Sequence, residues 1–116
     1  MGRELAKTKE VAAKYGIGHV TDDLAASLAL PDVDAVILCT PTQMHAAQSI
    51  ACLKAGKHVQ VEIPLADSLG DAQAVVDLQK QTKLVAMCGH TRRFNPSHQW
   101  VHNKIVAKDF NIQQMD

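Results

Sequence analysis

The sequence predicts an α/β protein built on a doubly wound parallel sheet. Three near-continuous apolar runs, Ala35–Cys39, His58–Val61 and Leu84–Cys88, read as strands covered on both faces. Segments of helical character alternate with them, and Asp34 to Pro64 packs strand, helix and strand into the length of one βαβ crossover. Each apolar run ends in a polar segment carrying Pro or Gly: Thr40–His45, Glu62–Pro64 and Gly89–Asn95. With right-handed crossovers these loops share one edge of the sheet, the edge at which open parallel sheets bind ligands.

The elements follow in order. Arg3 to Tyr15 reads as a helix with Leu5, Val11, Ala12 and Tyr15 near one face, and Gly16 supplies its stop. Thr21-Asp22-Asp23 offers a cap for a short helix over Leu24–Leu28, which must end before Pro31. Pro31 to Asp34 is a turn into the first apolar strand. Thr40-Pro41 breaks that strand, and a helix runs from about Gln43 to Lys54, closed by Gly56 at a position that favours positive φ. Ser68 caps the next helix, to about Gln81, with Ala72, Val75, Val76, Leu78 and Gln79 at helical spacing. The third strand stops at Gly89. Pro96 suits the first turn of a last helix, about Ser97 to Ala107. Phe110 to Asp116 alternates apolar and polar residues, like the start of a strand in a half-exposed sheet.

This organisation assigns residues 1–107 to the later part of one doubly wound domain and 108–116 to the edge of a second α/β domain. No strand precedes the first helix, and the last residues open an element that is not completed. The sequence is therefore expected to be a part of a longer chain, inactive by itself.

Composition narrows the partners. Lys plus Arg and Asp plus Glu are both 12, giving a net charge of zero, which argues against nucleic acid or an anionic membrane as the main partner. No apolar run approaches the length of a bilayer span, and the first residues have no signal-peptide character. Cys39, Cys52 and Cys88 are odd in number and sit in apolar segments, so they read as reduced core residues of a cytoplasmic protein. Cys88 lacks the setting that makes a thiolate. His98 and His102 have the i, i+4 spacing of zinc ligands, but neither an intervening H-E-x-x-H pattern nor a third ligand, so no metal is expected.

T-P-T-Q-M-H, then A-G-K-H-V-Q-V-E-I-P, then G-H-T-R-R-F-N-P, in this order and spacing, resembles the Gfo/Idh/MocA family of NAD(P)-dependent oxidoreductases over about Glu10 to Asp116. The resemblance implies a Rossmann-like nucleotide-binding domain followed by an α/β domain, and a homo-oligomer in the longer chain. It places Thr40, Pro41, Thr42, His45, Glu62, Ile63 and Pro64 beside the dinucleotide. NADP is the expected cofactor, with NAD allowed. Gly16-Ile17-Gly18 does not replace the family's Gly-rich phosphate loop, because it follows a helix rather than a strand.

Each residue also has a plainer reading. Thr40-Pro41 is also ordinary turn chemistry. His45 is equally a surface or capping histidine. Arg92, Arg93 and Asn95 form either a solvated turn or a carboxylate-binding group, since guanidinium pairs bidentately with carboxylate. The resemblance favours the second, because E-I-P in place of the usual E-K-P marks a branch of the family acting on an aromatic-derived dicarboxylate. That lysine serves the family near its substrate as acid, base or orienter. Ile63 stands at its position and cannot carry a proton, so the proton acceptor lies elsewhere, with His90 a candidate. Two rivals stay open: a sugar or polyol dehydrogenase of the same family, and a non-catalytic nucleotide-binding or assembly module.

Overall fold

The computed structural model describes residues 4–109. Five α-helices, α1 (Leu5–Tyr15), α2 (Leu24–Leu28), α3 (Thr42–Lys54), α4 (Leu69–Thr82) and α5 (Pro96–Val106), accompany three strands, β1 (Ala35–Leu38), β2 (His58–Val61) and β3 (Ala86–Cys88). The strands form one parallel sheet in the order β1-β2-β3, with Ile37 opposite Gln60 and Gln60 opposite Met87. The Rossmann-like parallel sheet expected from the sequence is present in these three strands.

The core lies on one face of this sheet. Leu38, Val59 and Val61 alternate inward and meet Cys52 and Leu53 of α3 and Val75 of α4. Helix α3 buries His45, Gln48, Ser49, Cys52 and Leu53, a stripe at helical spacing. Leu28 of α2 closes the cluster at the β1 side. The opposite face differs from the expectation of a sheet covered on both sides. Ile37 is 66% exposed and Met87 46% exposed there, because no described helix packs over the Ile37–Gln60–Met87 row. Helix α1 likewise buries only Ala12, leaving Val11 and Tyr15 of the expected face open.

Local chemistry sets the element ends. The Asp23 carboxylate accepts from the amides of Ala25 and Ala26 and starts α2. Ser68 accepts from the Asp71 amide at 3.0 Å and returns its hydroxyl proton to the Asp71 carboxylate at 2.7 Å, starting α4. Gly16 and Gly56 take φ of +68° and +75° after α1 and α3, as their positions required. Helix α4 ends without a glycine, and Lys83 carries the left-handed turn at φ +57°. Strand β3 is shorter than the apolar run that predicted it. The Val85 carbonyl accepts from the Val59 amide at 2.9 Å, but its amide donates to the His58 ring at 2.9 Å instead of to a strand carbonyl, and the first paired residue is Ala86.

Helix α5 starts at Pro96, capped by Asn95, and contributes no buried residue. The loop before it is not irregular: Thr91–Phe94 forms a 3₁₀ turn. The strand expected over Phe110–Asp116 lies outside the described residues, so the proposed domain boundary near residue 108 has no structural reading.

Candidate nucleotide-binding edge

The carboxyl ends of the three strands bring together the loops that the sequence singled out. The Glu62 amide donates to the Leu38 carbonyl at 3.0 Å, and the Gly89 amide to the Val61 carbonyl at 2.8 Å. These bonds extend the sheet one step and set Cys39, Glu62 and Gly89 side by side, with Thr40 one residue beyond. Glu62 is half-buried. Its carboxylate lies over the Gly89 backbone, and a Cβ at Gly89 would stand 3.5 Å from both carboxylate oxygens. No donor or cation among the described residues meets that carboxylate, since the one ion pair there joins Lys104 to Asp109. A strand-end carboxylate with open lone pairs suits hydroxyl donors such as those of a ribose.

His45 sits differently from the cleft-lining position that the resemblance implied. It is 1% exposed. Its Nδ1 is 2.7 Å from the Pro64 carbonyl oxygen and its Nε2 is 2.7 Å from that of Thr40. Carbonyl oxygens only accept, so the ring donates through whichever nitrogens carry hydrogen: one in the neutral ring, both in the imidazolium. The imidazole thus lies beneath the two loops, bridging their backbones, with no ring edge left for a ligand. The Thr40 hydroxyl donates to Gln48 Oε1 at 2.6 Å, so its own side chain is also committed inward. Gln48 was not among the expected site residues. Its position one helical turn after His45 on the buried stripe is the signal that could have marked it.

Ile63, Pro64, Leu65, Cys88 and His90 line an open cavity of about 570 Å³ beside Glu62. The Ile63–Pro64 peptide is cis. His90 therefore shares a wall with the residue standing where the family's lysine is expected. Its Nδ1 lies 3.3 Å from the Cys88 carbonyl oxygen. When Nδ1 donates to that oxygen in the neutral ring, Nε2 is the bare nitrogen and can accept a proton. Burial pushes the Cys88 thiol above its ordinary pKa. The amide of Gly89 opposes this and the Glu62 charge adds to it, so Cys88 is a protonated wall and not a nucleophile.

Arg92 and Arg93 occupy a second cavity, of about 640 Å³, with His98, Gln99, His102 and Asn103. No lining residue is shared between the two cavities. Asn95 is drawn away from both, because its Oδ1 accepts from the Ser97 amide at 3.0 Å and the Ser97 hydroxyl at 2.6 Å to cap α5.

A parallel sheet with its loops gathered at one edge defines a Rossmann-like α/β unit, and the comparisons give the family. Residues 1–90 match the family described as Gfo/Idh/MocA, oxidoreductase family, NAD-binding Rossmann fold, and the chain belongs to it. It is 66% identical over all 116 residues to 4-carboxy-2-hydroxymuconate-6-semialdehyde dehydrogenase of Sphingobium sp. strain SYK-6, and spans 37% of that protein. It is 34% identical over 101 residues to scyllo-inositol 2-dehydrogenase (NAD(+)) of Bacillus subtilis, covering 87% of this chain and 30% of that protein. Among solved structures, a 3-ketoreductase from Actinomadura kijaniata in complex with TDP-benzene and NADP superposes with a TM-score of 0.82 at 26% identity. That match covers 91% of this chain and 33% of the other. The chain thus spans about a third of the length of these relatives.

Proposed function

We propose that this chain forms the nicotinamide-side half of the cofactor domain of a longer NADP-dependent dehydrogenase, with NAD as a possible substitute. Its substrate on this reading is the hemiacetal of 4-carboxy-2-hydroxymuconate-6-semialdehyde and its product the lactone 2-pyrone-4,6-dicarboxylate, a step in the breakdown of lignin-derived aromatics. The observation that carries the reading is the 66% identity across the whole chain. The residues fit the cofactor: the Glu62 carboxylate, at a strand end, has no partner among the described residues, and the Thr40–Thr42 and Glu62–Pro64 loops flank it.

Bound there, the nicotinamide supplies the hydride acceptor. The remaining work falls to side chains. The carbinol C–H electrons leave as hydride, the C=O bond of the lactone forms, and the hydroxyl proton must go to a base. Ile63 cannot take it, and His90, on the same cavity wall, is the acceptor we assign. Arg92 and Arg93 hold carboxylates of the substrate as the longer protein folds over them. Two carboxylates on the substrate suit two guanidinium groups with no acidic residue lining their cavity. The longer protein is proposed to be a cytoplasmic homo-oligomer.

The test is an assay of the longer protein with NADP, NAD and the semialdehyde, following reduced cofactor and identifying the lactone by mass. Turnover with the semialdehyde supports the reading. Turnover only with inositols or sugars favours the polyol alternative, which the 34% identity to an inositol dehydrogenase keeps open. No cofactor binding at all supports the assembly module. In the active enzyme, His90→Ala is expected to lower kcat by roughly 10²–10⁴-fold, the range for loss of a general base.

A further inference from the structure

We infer that His45 is a positioning residue, a buried cross-brace that sets the separation of the two loops holding the nicotinamide side of the cofactor. The inference rests on the cofactor reading above for its functional consequence, but the brace itself is geometric. Thr40 lies just past the first strand and Pro64 just past the second, 24 residues later in the chain. The sheet ladder stops short of both, with its last bond between Glu62 and Leu38. Beyond that bond one imidazole links the loops, reaching the Thr40 and Pro64 carbonyl oxygens at 2.7 Å each.

The ring is suited to this use. It is rigid, it is 1% exposed, and its two nitrogens point in different directions, one to each loop. It rises from α3, which the core anchors through Cys52 and Leu53, so the brace is referenced to the rigid part of the molecule. Gln48, one turn along, holds the Thr40 hydroxyl from the same helix at 2.6 Å. Thr40 is thus held twice from α3, and Pro64 once. A strut that merely fills space would need neither contact, and an apolar side chain would serve the core at lower desolvation cost.

The functional consequence is spacing. Glu62 stands two residues before Pro64, and its open carboxylate faces the same edge as the Thr40–Thr42 backbone. A ligand that touches both loops binds well only when their separation is preset, because loops ordered by the ligand itself subtract from affinity. Loss of the brace is therefore expected to weaken cofactor binding without touching the proton-transfer residue.

The experiment uses the longer protein as wild type, His45→Phe and His45→Gln, with amide hydrogen exchange, melting temperature and NADPH affinity by fluorescence. The phenyl ring keeps the volume and removes both ring nitrogens. Glutamine keeps one donor and covers the case in which the phenylalanine variant does not fold. The inference predicts that amides of Thr40–Met44 and of Glu62–Leu65 exchange about ten-fold faster or more, together, in the folded variants. NADPH affinity should fall by a similar factor, with kcat at saturating cofactor within about two-fold of wild type. A lowered melting temperature with unchanged exchange in both loops, or unchanged NADPH affinity in a folded variant, overturns it. If wild type binds no NADPH, the cofactor reading fails, and the exchange experiment still decides whether His45 couples the two loops.

Discussion

Glu62 and Cys88 are neighbours across two strands, and each constrains what the other can do. Among the described residues no donor meets the Glu62 carboxylate, so its charge is available to a ligand and also to Cys88. Burial raises the pKa of Cys52 and of Cys88, for Cys88 with the added effect of the Glu62 charge. The sign follows directly. A thiol whose folded pKa lies above its unfolded value contributes stability that is complete below the unfolded pKa and is lost as pH rises through the folded one. The melting temperature is expected to hold through neutral pH and to fall in the alkaline range above the ordinary thiol pKa. Cys52→Ser and Cys88→Ser should each flatten that fall. Alkylation followed by mass spectrometry should mark exposed Cys39 first, with Cys52 protected until the protein unfolds. Rapid labelling of Cys52 in the folded state would contradict the burial assigned to it. At this scale the sequence was partly readable. The resemblance pointed to Glu62 and Ile63, because a motif names positions, and their roles stay proposals. The burial of His45 did not, because it depends on two backbone carbonyls contributed by separate loops.

Helix and strand boundaries were legible wherever a local signal exists. Asp23, Ser68, Gly16 and Gly56 act at the ends where capping chemistry placed them, whereas Asn95, expected to bind substrate, caps α5 instead. The departures have non-local causes. The His58 ring replaces a strand carbonyl at Val85, which shortens β3 and leaves no trace in either run taken alone. Lys83 is the case where the local signal was missing: α4 closes in a left-handed turn on a residue with a side chain. Lys83→Gly should therefore stabilise the chain by up to about 1 kcal/mol in chemical denaturation, the approximate cost of placing a Cβ in that region. A destabilising Lys83→Gly would mean that the Lys83 side chain contributes contacts worth more than this strain.

For the whole molecule, the three parallel strands and the gathering of their loops at one edge were readable because apolar runs and breaks encode strand order in a βαβ chain. The cover of the sheet was not. Continuous apolar strands predicted helices on both faces, yet Ile37 and Met87 stand open, and β1 has a free edge along a cavity of about 330 Å³ that includes Leu24, Val33 and Ile37. A strand's pattern records that a face is to be buried, not which segment buries it. The central claim is that the dinucleotide lies on the edge formed by Thr40–Thr42, Glu62–Pro64 and Gly89-His90. Backbone amide shifts of the longer protein, followed by NMR as NADPH is added, test it most directly. The largest changes are expected at Thr40, Thr42, Glu62, Ile63, Gly89 and His90, with α5 and the Ile37–Met87 face little affected. Changes centred on that open face or on α5, with those six amides unmoved, would contradict it.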